Sequence, residues 1–502
     1  MMKNSKKLVD FYQSQIKPNI ENWQPLDRVV VAIIISLFIA IFFLVLTGGN
    51  AAPRVRQFTW QNQVITAKDR AFILQFSHPM DRASVENNLK IEPSLLGKSS
   101  WAGRRMAYTL NKPAPYGTEF KVQIQGAKDQ YSDAKKGTEI EPFVGEFKSR
   151  DRVFVYIGNQ GEESGRLILY NLTQNQLEML TPPNLVVMDF RPYPDRDRIL
   201  FSARDTLEAG DEIIEQKLYT VTTGLKEGED PSIVDEILDN ETHQNLAFDL
   251  APDGKTIVVQ RVNRQDPGDF GLWLIPEKGD PYPMENQPGG EFLITPDSQA
   301  IALLQGEGVA LLPLYPDRSA PTNQPLDFLP KFGQVLSFAP DGSAATMIKF
   351  NTDYTRSLYL VTNQGTEKEL LKTNGSIKEC EFDPTQTMLY CLLSELLPGE
   401  LYQELLYIGA INLETSEQIP LVGLPNQREI NISLSPDGVA ILFDHNQVDT
   451  PEESPATPPE NPLNSNANLW ILPIIDAQKL GKDPQIKPEA LPLKGFRPQW
   501  LP

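Results

Sequence analysis

The chain has 502 residues, more than one compact core usually holds, so two or more domains are expected unless a repeat extends one of them. Asp+Glu 66 against Lys+Arg 46 leaves a net charge of −20, a field that repels phosphate backbones and argues against a nucleic-acid partner. Two cysteines cannot build a disulfide framework, and three histidines far apart in sequence (His78, His243, His445) leave little for a His-built metal or catalytic centre.

Residues 29–46, VVVAIIISLFIAIFFLVL, run 18 positions without a charge, close to the ~20 that cross a hydrocarbon core. A cleaved signal peptide is the competing reading, since Gly48, Gly49, Ala51 and Ala52 follow the run. The 28-residue tail before it, and an apolar run longer than the roughly 7–15 residues of a signal core, favour an uncleaved anchor over residues 29–47. Lys3, Lys6, Lys7, Lys17 and Arg28 precede the run, and Arg54, Arg56, Lys68 and Arg70 follow it. That balance leans toward a cytoplasmic tail over residues 1–28 and extracytoplasmic C-terminal domains in periplasm, lumen or at the cell surface.

Residues 55–148 form the next unit. AFILQF (71–76) and EFKVQI (119–124) alternate as half-buried strands do, while His78-Pro79, Glu92-Pro93, Lys112-Pro113 and Tyr116-Gly117 break the chain. ASVENNL (83–89) predicts one helical turn, and short strands with regular breaks predict a β-sandwich. FSHPMDRASVENNLKIEP, SSWAGRRMAYTL and APYGTEFKVQI together resemble the bacterial Ig-like domain of S-layer and other envelope proteins. The resemblance implies an extracytoplasmic spacer or adhesive module without catalytic residues; His78 falls in a turn of that motif.

Beyond residue 150 the chain repeats. FRPYPDRDRILF, FDLAPDGKTIVV, FLITPDSQAIAL, LSFAPDGSAATM, CEFDPTQTMLYC and ISLSPDGVAILF place a turn proline at 194, 252, 296, 340, 384 and 436. Positions two and four before each proline and five after it are mostly apolar, for example Leu250, Phe248 and Ile257. Steps of two on both sides of a fixed turn mean two antiparallel strands with one apolar face each. The Pro-Asp-Gly core supplies the bend, since proline presets φ, Asp bonds its own backbone and Gly tolerates positive φ. Third strands follow at 218–222, 272–276, 310–314, 358–362, 405–409 and 469–473, and a weaker fourth segment completes units of about 44 residues. That is the repeat of a β-propeller blade.

The closing octet GFRPQWLP continues the register, with Pro502 at the turn position and Trp500 two before it. VFVYIGN (153–159), RLILYNL (166–172) and QLEMLT (176–181) lack an innermost strand, so residues 496–502 are expected to supply it and close a ring over residues 153–502. The expectation is an all-β chain, a sandwich and a seven-bladed propeller, or six-bladed if the unit around Arg191–Pro194 is degenerate. The Pro-Asp-Gly hairpins are similar to those of TolB-like and WD-repeat-like propellers. Without Trp-Asp dipeptides closing the third strands, the TolB-like, periplasmic kind fits better.

Cys380 and Cys391 stand at offsets that face each other across one hairpin, as two buried thiols or as a cross-strand disulfide. No G-x-S-x-G, no phosphate-binding G-x-x-x-x-G-K-[ST] and no D-x-D-x-D-G calcium loop occurs, so no catalytic, cofactor or metal residues are assigned. The turn aspartates read as structural. Acidic insertions over 202–217 and 444–468 sit between second and third strands and read either as tolerated surface elaboration or as a partner-binding rim. The combined expectation is a membrane-anchored, non-enzymatic interaction or scaffolding protein of the envelope with an unidentified protein partner. A glycan- or peptide-acting enzyme using channel carboxylates, or an adhesive surface protein, is the alternative.

Overall fold

The computed structural model describes residues 25–48, 52–130, 138–206, 215–285, 289–315, 327–397, 403–427, 429–446, 466–474 and 487–502. Most of the chain is β-structure. The apolar run near the N-terminus is a helix, Pro25–Gly48. Its described side chains end at Phe43, so the full run is not covered, and among the described residues no helix is long and apolar enough to cross a membrane.

Val55–Ser149 pairs into two four-stranded sheets that enclose a core of Phe58, Trp60, Phe72, Phe76, Phe120 and Phe147 among others. Alternation decides the faces: in Ala71–Phe76 every second residue is buried. The predicted single helical turn is longer, spanning Arg82–Asn88, because Asp81 caps it by accepting the Ser84 N–H at 3.0 Å and Val85 docks on the core. His78 lies in a bend, its Nδ1 2.9 Å from Ser77 Oγ.

Five four-stranded meanders follow between residues 185 and 424. Each begins with an inner strand: Leu185–Pro192, His243–Leu250, Phe292–Ile294, Gln334–Phe338 and Ile377–Phe382. The remaining strands join into one seven-stranded sheet, because Glu489–Trp500 is shared. Its first half pairs with Ala467–Pro473, with Trp470 opposite Ala490, and its second half pairs with Val153–Gly158, with Phe496 opposite Ile157 and Trp500 opposite Phe154. The insertions are shorter than read from sequence, since strands continue to Asp205 and Asn446 and resume at Gln216 and Ala467. What remains of both lies largely outside the described residues.

Each sheet packs its face on the next. Val155 and Leu169 meet Phe190 and Phe201, Leu200 and Leu218 meet Phe248 and Val259, and Val258 and Leu274 meet Ile301 and Leu312. The series continues through Ala302 with Met347, Leu358 with Cys391, and Leu392 with Phe443. It returns to its start where Leu442 and Leu469 pack with Phe154, Tyr170 and Trp500. The sheets therefore form a closed ring with no outer sheet left unpacked.

The ring has two unlike faces. The Pro-Asp-Gly turns and the links from third to fourth strands lie on one, the turn face. The links from second to third strands, and from one sheet to the next, lie on the other.

Candidate functional site

The even offsets from each turn proline fill the cores between sheets, so the odd offsets of the inner strands turn the other way, toward the axis. Five residues before the prolines stand Asp189, Ala247, Glu291, Val335, Glu379, Asn431 and Arg497, and three before them stand Arg191, Asp249, Leu293, Ser337, Glu381, Ser433 and Gln499. The structure gathers the first set, together with Arg191 and Leu293, around a cavity of about 560 Å³. Gln334, Lys378 and Ile430, each one residue farther from the turns than the first set, also line it, so it lies toward the face opposite the turns.

Inner strands are sheet edges, and their outward N–H groups need acceptors when buried. Side chains of the neighbouring sheet supply them. Asp249 Oδ2 accepts the Ile294 N–H at 3.0 Å, Glu381 Oε2 accepts the Leu434 N–H at 2.9 Å and Glu379 Oε2 accepts the Ile432 N–H at 3.4 Å. Ser433 Oγ accepts the Trp500 N–H at 3.1 Å. Asp444 accepts from Arg497 N–H at 2.9 Å and from both Asn431 N–H and its amide, at 2.7 and 3.0 Å. These acceptors thus stitch each edge strand to its neighbour around the axis.

Two guanidiniums sit among them. Arg191 and Arg497 both approach Asp189 Oδ1, at 2.9 and 3.0 Å, and Arg497 also donates to the Met188 carbonyl at 2.8 Å. Carboxylates outnumber these two cations, with consequences for protonation. Burial pushes the Glu379 carboxyl up to about 7, with Asp444 adding to the rise, while the Ile432 N–H, Arg191 and Arg497 oppose it. Burial and the adjacent Glu379 push Glu381 up to about 8. Burial also raises Asp249 and Asp444.

Cys380 and Cys391 are joined by a disulfide in the core behind this wall, directly opposite each other in strand register. The flanking Glu379 and Glu381 point to the opposite side of the same strand, so the bond backs the acid pair. The histidines are not brought together: His243 lies against Trp273, His445 against Trp470, and His78 is in the sandwich. Among the described residues no group of three or more His, Cys, Asp or Glu is arranged to hold a metal ion. Sequence reasoning on the even offsets missed every axial residue; the odd offsets of the same repeat would have found them.

No family model matches the chain, and no curated protein matches it. Among solved structures it is similar to TolB from Acinetobacter baumannii, at 11% identity over 83% of both chains with a TM-score of 0.40. It is also similar to oligogalacturonate lyase from Vibrio parahaemolyticus, at 11% identity over 59% of this chain and 88% of that one, TM-score 0.43. A protein from Lactobacillus plantarum matches at 12% identity over 70% of this chain and 99% of its own, TM-score 0.41.

Proposed function

We propose that the chain is a membrane-tethered, non-enzymatic interaction protein of the cell envelope, which takes its partner at the mouth of the axial cavity. The carrying observation is the cavity itself, about 560 Å³, with a wall drawn from the inner strand, or the residues just before it, of every sheet in the ring. Only a closed ring brings those residues together. We read its sheets as seven blades, the seven-stranded sheet being two that share Glu489–Trp500, and the sandwich as an Ig-like spacer.

The tether rests on a mismatch between composition and packing. In Pro25–Gly48 the large apolar side chains Val29, Val30, Ile33, Phe38 and Phe42 are 47–69% exposed. A helix apolar on all sides needs an apolar surrounding, and 24 residues at about 1.5 Å each span the ~30 Å of a bilayer core. The cavity wall carries both signs of charge, Asp189, Glu291 and Glu379 with Arg191, Arg497 and Lys378, which favours a partner that presents charged side chains.

Photo-crosslinking in native membranes tests this reading. A benzophenone side chain at Gln334, beside the mouth, is expected to yield a discrete protein adduct that weakens with salt, and one at Ser343 on the turn face is expected to yield none. No adduct at Gln334, or the same adduct at both, overturns it.

A second reading is favoured by Glu379 alone, since a carboxyl that holds its proton near neutral pH at a cavity wall suits a general acid. Cleavage of envelope glycan or peptide by the purified chain, abolished by Glu379→Gln, would establish it in place of the first.

A further inference from the structure

The aspartates that follow the turn prolines look alike in sequence, yet one is used differently. Asp253, Asp297 and Asp341 each turn Oδ1 onto their own turn, accepting the N–H two residues on at 3.0, 3.0 and 2.9 Å. Asp437 does this too, with Oδ1 facing Val439 N–H and the Ser435 hydroxyl. Its Oδ2 reaches out of the ring. It accepts the N–H of Tyr116, a sandwich residue, at 2.7 Å and lies 3.4 Å from Arg152 Nη2. The Asp437 side chain is 1% exposed.

The contacts around it form one patch. Arg152 Nε donates to the Tyr116 carbonyl at 3.0 Å, and Arg150 Nη1 donates to the Pro502 carbonyl at 3.2 Å. At Gly117, φ +68°, an added Cβ would come within 2.6 Å of Thr173 Oγ1, so the two bodies meet too closely there for any side chain. All of these ring residues lie on the turn face. We propose that Asp437 clasps the sandwich to the turn face, fixing one orientation in which the cavity mouth points away from the sandwich and from whatever the sandwich is tethered to. A buried carboxylate shared between a turn and a backbone N–H of the other body resists sliding, because leaving either donor unmet in a dry interface is costly.

The clasp stands on this geometry alone; only its consequence, that it selects the face offered to a partner, rests on the proposed function. Its test therefore needs no partner. Nitroxide labels at Lys98→Cys in the sandwich and Lys255→Cys in the ring, in the full chain, report the distance between the two bodies by pulsed electron resonance. The parent is expected to give one narrow distribution, Asp437→Ala one at least twice as wide, and Asp341→Ala the parent's. Should Asp437→Ala not fold, Arg152→Ala and Gly117→Val attack the other contacts of the clasp, leave the turn intact, and are expected to broaden the distribution likewise. A distribution as narrow as the parent's in folded Asp437→Ala, or in both substitutes, overturns the clasp. A failure of crosslinking at Gln334 with the clasp intact would instead count against the partner site.

Discussion

At the residue scale, Glu381 shows what the axis demands of its side chains. It must accept the Leu434 N–H while buried beside Glu379, so its charge is tolerated rather than sought. Its folded pKa lies above the unfolded value, so the native state holds the extra proton, and stability falls as pH rises from about 4.5 through about 8. Glu381→Gln keeps an acceptor oxygen and removes the charge. It is expected to stabilise the chain by about 1–2 kcal/mol at pH 8.5 and hardly at all at pH 4.5, read from chaotrope denaturation at the two pH values; an equal effect at both would contradict the account. Little of this was legible in the sequence. Glu379 and Glu381 alternate with apolar residues just as surface residues of an ordinary half-buried strand do, and only the ring turns that polar side inward. Asp437 was still less legible, since nothing local separates it from Asp253 or Asp341. Cys380 and Cys391 were readable as a facing pair because register alone placed them opposite each other. Alkylation of the denatured, unreduced protein is expected to modify neither, and labelling of both would contradict the bond.

At the element scale, the hairpin turn is the unit that repeats, and it also joins sheets. Gly254, Gly342 and Gly438 all have φ near +73°, and each turns toward the turn proline of the preceding sheet, Pro194, Pro296 and Pro384. At Gly438 an added Cβ would stand 2.8 Å from Pro384 Cδ, whereas at Gly365, φ +78°, it would meet nothing within 4 Å. Gly438→Ala therefore combines backbone strain with a clash and is expected to cost about 2–3 kcal/mol, against about 1 kcal/mol for Gly365→Ala. Equal costs in denaturation experiments would show that the turns do not carry the contact between sheets. The turns and the apolar offsets were the readable part of the fold, because strand period and turn chemistry are both local. The first half of Glu489–Trp500 was not readable. Pro488 and Pro492 argue against a strand by local rules, yet the segment pairs with Ala467–Pro473, and its ladder register shifts beside Pro492.

At the scale of the whole molecule, closure decides whether there is a site at all. The cavity wall takes Arg497 from the final strand, Asp189 and Arg191 from the sheet it packs on, Asn431 from just before Ile432–Leu434, and Glu379 from Ile377–Phe382. Leu501 donates its N–H to the Val153 carbonyl at 2.9 Å, and Trp500 fills the last core with Phe154, so the final strand seals the ring chemically and by packing. An unsealed ring would expose the edge of Val153–Gly158 and open the axis to solvent. Hydrogen exchange on the full chain and on one ending at Gly495 measures this directly. Sealing by the final strand requires amides 153–157 to be strongly protected in the full chain and to exchange about a hundredfold faster, or more, in the truncated one. Equal protection in both would mean that these residues pair elsewhere, and the ring, its cavity and the proposed partner site would fall together.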